Sequence, residues 1–176
     1  MTPAPLPARP SALLLLVLPL LGCAAGDAHH HHRHSPAGAR NDPLAAIAAV
    51  HGGHGPWAVA GYRMGAYALE RLGPGPNSFD LEVVHHSPRE VQYACVADGA
   101  AAATGASVGK LNLLLEPAPL SELRTEYRRR STGETLTLRF TAAFAQRYLN
   151  VARERLAEAG REVLTLKDEE IFEEVK

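Results

Sequence analysis

A chain of 176 residues, 46% apolar and with a formal net charge of −1, has the length and composition of one soluble domain with a real core. Near-neutral charge argues against nucleic acid as a partner. Two cysteines, Cys23 and Cys95, leave little room for disulfide chemistry.

The chain opens on an apolar run over residues 11–21, broken by Pro19 and too short to span a bilayer. It ends Leu20-Leu21-Gly22-Cys23, which resembles the lipobox of bacterial lipoprotein signal peptides. The expectation is a signal peptide over residues 1–22, lipidation at Cys23, and export to the periplasmic or cell-surface side of a bacterial membrane. An ordinary secretory signal is the alternative, with Arg9 the single basic residue ahead of the apolar run. With Cys23 lipidated, Cys95 is the sole thiol of the mature chain, and no intramolecular disulfide forms. Residues 23–40 read as a flexible tether carrying His29, His30, His31, His32 and His34. Clustered imidazoles bind borderline cations such as zinc, nickel or copper, although an inert polar spacer fits the same composition.

The folded domain is expected over residues 41–176. Asp42-Pro43 starts a short helix over 44–50, stopped by His51-Gly52-Gly53-His54-Gly55-Pro56. A second helix is expected over 57–72, where Ala58, Gly61, Gly65 and Ala68 form a stripe of small residues that admits a close backbone neighbour. Residues 79–84 read as a strand, His85 to Pro88 as a turn, and 91–93 as a short strand leading into Cys95. An Ala-rich helix follows over 97–103, then a strand over 110–116. Residues 122–129 and 134–140 pair as a hairpin whose tip holds Arg128, Arg129 and Arg130, read as a solvated end. A long amphipathic helix over 141–159 and an acidic tail with Phe172, read as an edge strand or docked turn, complete the chain. The order predicts an α+β fold. In it, a mainly antiparallel sheet packs with a glycine-containing helix, a short Ala-rich helix and a long C-terminal helix.

Several side chains invite chemistry. Cys95 at the start of a helix would be easier to ionise there. Asp98, three residues on, could share a metal with it or orient a histidine ligand from behind. The bland alternative makes Cys95 a small buried residue. Gly105-Ala106-Ser107-Val108-Gly109 matches the serine-hydrolase elbow in letters, but a helix precedes it and a strand follows, the reverse of what that elbow needs. The phosphate-loop pattern fails as well, with Thr104 and Leu111 at key positions. What remains is a loop whose amides, with Thr104, Ser107, Lys110 and Asn112, could hold an anion or merely connect helix to strand. His51 and His54 are close enough in a glycine-rich loop to reach one metal.

Two motifs carry a family resemblance. The first is His51-Gly52-Gly53-His54-Gly55-Pro56-Trp57 followed by Gly61-Tyr62-Arg63-Met64-Gly65. The second is Cys95-x-x-Asp98 followed by Thr104-Gly105, then Gly109-Lys110-x-Asn112-Leu113. From about residue 42 to the end, the chain resembles the FmdE family, which takes its name from formylmethanofuran dehydrogenase. The resemblance implies an α+β core and a metal-containing cleft of histidine and cysteine that would bring His51 and Cys95 together; a harder or weaker site using His51, the displaced His54 and Cys95, with Asp98, could remain. Some family members add a cysteine-rich zinc module after the core, and this sequence reads as lacking it. Gly55 and Ala106 stand where the family has cysteines, and Gly53 where it has a histidine, so a thiolate-rich site is not expected.

The expected function is that of an extracytoplasmic metal-handling accessory protein with a reduced His/Cys site, its cofactor a divalent transition metal such as zinc or nickel. An enzyme, or a component of one, with related C1 or redox chemistry, and a small anionic-ligand binding module, are the alternatives. No full catalytic pair is visible, which points away from an independent enzyme. Expected partners are the membrane and the metal, with self-association left open.

Overall fold

The computed structural model describes residues 42–175. The expected signal peptide, Cys23 and the histidines of 29–34 lie outside the described residues. Eleven regular elements follow in order: α1 (Pro43–His51), α2 (Pro56–Leu72), β1 (Leu81–Ser87), α3 (Val91–Thr104), β2 (Leu113–Pro117), β3 (Arg124–Arg129), β4 (Thr135–Phe140), α4 (Ala142–Arg147), α5 (Leu156–Thr165), α6 (Asp168–Ile171) and β5 (Phe172–Glu174). The five strands form one sheet in the order β2-β1-β3-β4-β5. β2 runs parallel to β1, with α3 as the crossover between them, and every other pairing is antiparallel. The fold is α+β, as expected.

One sheet face is apolar and faces the helices. Leu81, Val83, His85 and Ser87 of β1, Thr125 and Tyr127 of β3, and Leu136, Leu138 and Phe140 of β4 are all buried. Alternate residues carry Glu82, Glu126, Arg128 and Arg139, which leaves the other face polar, the signature of a half-buried sheet. The helix layer is built around α2, whose small-residue stripe lies directly on α3. A Cβ on Gly61 would stand 2.1 Å from the Val96 carbonyl oxygen, and one on Gly99 would stand 1.9 Å from that of Ala58. The two helices touch backbone to backbone, which compensates for glycines inside a helix.

Aromatic rings close the other end of the core. Trp57 meets Tyr93, Phe140 and Phe144 edge-on, with centroids 5.2, 4.9 and 5.3 Å away, and its Nε1–H donates to the Tyr148 carbonyl at 2.9 Å. Arg63, from the middle of α2, reaches across to the end of α5. Its guanidinium donates to the carbonyls of Val163, Leu164 and Leu166 and to Asp168 Oδ1, the last at 2.6 Å.

Four expectations need correction. The turn expected at His85-His86 is strand, because His85 is an inward-facing core residue. Residues 91–93 are the first turn of α3 and not a strand, so Cys95 sits inside the helix. The strand expected from residue 110 begins at Leu113, since Val108–Lys110 forms a 3-10 turn and Leu111 takes φ 53. The long helix over 141–159 is two helices, α4 and α5, interrupted where Asn150 adopts φ 53. Gly160 lies inside α5. The tail forms the antiparallel edge strand β5, and the hairpin of β3 and β4 stands where it was expected. The arginines at its tip are not merely solvated: Arg129 pairs with Asp80, and Arg130 with Glu82.

His85 is fully buried between Thr125 Oγ1, 2.8 Å from Nδ1, and the Tyr93 carbonyl, 3.1 Å from Nε2. A carbonyl only accepts, so Nε2 carries the proton and the threonine hydroxyl donates to Nδ1. Burial pushes the imidazole down from 6.5 to about 4, with the neighbouring His86 acting in the same direction. Between those values the unfolded chain binds the extra proton and the folded chain does not, so stability is full above pH 6.5 and falls as pH drops toward 4. Denaturant titrations should show a loss of about 2 kcal/mol between about pH 6.5 and about pH 5. A His85→Gln variant should lose that increment of the slope while being less stable at about pH 7.

Candidate functional site

The position of His51 follows from how α1 ends. Asp42 caps its start, accepting from the amides of Leu44 and Ala45, and Gly52 caps its end in the left-handed region at φ 83. His51 is thereby the last helical residue, with its side chain against α3. Gly53, His54 and Gly55 carry the chain to Pro56, where α2 starts. The loop is pinned from the far side, because a Cβ on Gly160 of α5 would stand 1.8 Å from the His54 carbonyl oxygen.

His51 Nδ1 lies 2.8 Å from Asp98 Oδ2. A carboxylate accepts, so the neutral ring carries its proton on Nδ1 and keeps the Nε2 lone pair. The two are 47 positions apart in the chain, and the packing of α1 on α3 brings them together. Of the two roles the sequence allows Asp98, its geometry matches the orienting one. His54 Nε2 is buried without a hydrogen-bond partner among the described residues.

Cys95 occupies the second turn of α3, where its thiol donates to the Gln92 carbonyl at 3.2 Å. Burial, reinforced by the Asp98 charge, pushes the thiol up to about 12. The expected helix-end activation is absent, since the residue lies past the free amides and is desolvated. At neutral pH Cys95 is a thiol.

His51, His54 and Cys95 line one cleft of about 720 Å³, with Trp57, Gln92 and Tyr148 in its wall. A second groove of about 380 Å³ shares His51, Val91 and Cys95 with it and is bounded also by Asp98, Val108, Leu113 and Leu115. Among the described residues no three His, Cys, Asp or Glu side chains gather into a group that would hold a metal ion. The cleft offers two imidazoles and a protonated thiol, a set short of a closed cage.

The second candidate site is the loop after α3. Thr104 Oγ1 donates to the Ala100 carbonyl and accepts from the Ala106 amide, and Ser107 Oγ accepts from the Lys110 amide. Asn112 is fully buried; its oxygen accepts from the Ser107 amide and its NH2 donates to the carbonyls of Ser78 and Leu81. Lys110 Nζ donates to the Gly105 carbonyl at 2.8 Å and lies 5.5 Å over the Phe79 ring. All four side chains turn onto the protein itself and lock α3 to β1 and β2. None of these four side chains lines the His51 cleft, and only Val108 of this loop reaches the neighbouring groove beside His51 and Cys95.

Arg63 stands in the first motif as a clamp, a role invisible without knowing that α5 ends beneath it. The glycines on either side of it in that motif, Gly61 and Gly65, are the points where α3 approaches α2.

No curated protein matches the chain. The family described as FmdE, molybdenum formylmethanofuran dehydrogenase operon, matches residues 50–173. That span opens one residue before His51, contains Cys95, Asp98 and the Thr104–Asn112 loop, and ends inside β5. The chain belongs to the FmdE family.

Proposed function

We propose that this FmdE-family protein is an exported, lipid-anchored accessory protein that captures and releases a divalent transition metal such as zinc or nickel. The observation that carries the reading is the His51–Asp98 pair at 2.8 Å. A carboxylate on the back nitrogen of an imidazole fixes its tautomer, aims the other nitrogen and raises its basicity. His54 Nε2, buried and unpartnered, is a second nitrogen without other employment among the described residues. These donors fit a borderline cation: His51 and His54 would hold it through Nε2, with Cys95 as a third donor once deprotonated. Bound there, the cation would be held weakly enough to exchange, which suits handling more than resident catalysis. The histidines of 29–34 would collect the same cations at lower specificity, and the apolar run ending at Cys23 supports export and anchoring. The internal bonding of Lys110, Thr104, Ser107 and Asn112 argues against the anionic-ligand alternative at that loop.

The test is a chelator-competition titration with zinc on the full chain, with the five tract histidines changed to serine. Asp98→Asn should weaken the remaining site by about 10–100-fold while leaving the far-UV spectrum unchanged. Equal affinity in the two proteins would remove the proposal's foundation.

A further inference from the structure

The His51 cleft has room for more than a bare cation. Its volume of about 720 Å³ falls among small-molecule sites, which run from roughly 300 to 1,000 Å³. His51, His54 and Cys95 offer at most three donors, so a cation held there keeps coordination positions for another molecule. The rest of the wall is rich in hydrogen-bond donors and poor in acids. Among the described residues no Asp or Glu lines this cleft, and Asp98 stands behind His51, bonded to its Nδ1. Arg153 lines the cleft and makes no ion pair among the described residues, whereas Arg147 and Arg155 on either side pair with Glu162 and Glu158. The Gln92 carboxamide has a fixed sense: its oxygen accepts from the Asn150 amide at 2.8 Å, which leaves the NH2 as a donor without a partner among the described residues. Both α2 and α3 start at this cleft without side-chain caps, and their first turns add positive potential.

Resting on the metal capture proposed for this cleft, we propose that the cation is taken up there as the chelate of a small carboxylate, a hydroxy acid or an amino acid. The chelator fills the coordination positions that the protein leaves open. A carboxylate oxygen not bound to the metal pairs with the Arg153 guanidinium and accepts from the Gln92 NH2. Such a cargo suits an incomplete donor set, since it brings the missing ligands with it. Loss of the chelator leaves two imidazoles and a protonated thiol, which hold the cation weakly and allow its release.

Equilibrium dialysis tests this on the full chain with the five tract histidines changed to serine, using radiolabelled citrate, malate and L-histidine with and without zinc. With zinc, at least one of these compounds should be retained at close to one per chain, and without zinc little or none. Arg153→Gln should weaken that retention by about 10–100-fold. The zinc affinity measured without any carboxylate should stay unchanged. Arg161→Gln, on α5 but outside the cleft wall, should alter neither quantity. Retention of none of the compounds by the zinc-loaded protein overturns the inference and leaves metal capture standing. Equal retention with and without Arg153→Gln overturns it too. A cleft that takes up no zinc, with or without a carboxylate, removes metal capture and this inference together.

Discussion

Gly99→Ala is expected to cost the domain about 3 kcal/mol or more, a large part of the roughly 5–15 kcal/mol that holds an ordinary domain together. The added carbon would stand 1.9 Å from the Ala58 carbonyl oxygen and 2.8 Å from the Tyr62 amide nitrogen. Both are backbone atoms of α2, so no side chain can swing away. Relief requires α2 and α3 to move apart, and the reciprocal contact of Gly61 with the Val96 carbonyl is lost with it. Helix propensity pulls the other way by about 1 kcal/mol and is outweighed. The same change at Gly109, where nothing lies within 4 Å of the added carbon, should shift stability by no more than about 0.5 kcal/mol. Urea unfolding of the two variants beside the wild type checks the contrast. Similar midpoints would mean that the two helices do not touch backbone to backbone.

Arg63→Met is expected to cost about 3 kcal/mol, for a different reason. The guanidinium gathers the carbonyls of Val163, Leu164 and Leu166 at the end of α5, where a helix leaves acceptors over, together with the Asp168 carboxylate; of the three, the Val163 carbonyl also accepts from the Leu166 amide. Methionine keeps much of the bulk but leaves those carbonyls without the cation that now serves them. Arg63→Lys should recover only part of the loss, because one ammonium cannot present the planar fork that reaches both the carbonyls and Asp168. The loss should fall on α5 and α6 first, so hydrogen exchange at residues 163–171 should accelerate before the core of α3 does. Uniform acceleration throughout the domain would contradict the clamp.

Much of this architecture is legible in the chain itself. The glycine stripe of α2 announces a close neighbour by spacing alone, and the hairpin at Ser131-Thr132-Gly133 follows from turn chemistry. What spacing does not give is the identity of that neighbour, since Gly99 looks like one more small residue in an Ala-rich helix. His85 misleads because a histidine pair before serine and proline has the composition of a turn. Only the partners on β3 and α3 make it a core residue. The break near Asn150 is hidden by an amphipathic pattern that continues on both sides, since periodicity does not register a single left-handed residue.

The candidate site is half legible. The pairing of Cys95 with Asp98 by helical spacing suggests joint action, yet Asp98 bonds His51, 47 positions away, while Cys95 stays protonated under burial. Local spacing reveals which side chains share a helix face. The partner across the helix interface depends on packing. Likewise, the loop from Thr104 to Asn112 carries a dense family motif, and its side chains form the joint between α3 and the sheet. A specific motif can encode a tight connection as readily as a ligand cradle.

The central claim is that the cleft beside the His51–Asp98 pair holds a transition metal in the absence of the histidine tract. Elemental analysis of the full chain, with His29, His30, His31, His32 and His34 changed to serine and the protein equilibrated with a slight excess of zinc and then desalted, tests it most directly. The account predicts close to one zinc per chain, falling below a tenth when His51→Ala is added. Zinc near zero in both proteins, or an equal content in both, would contradict it.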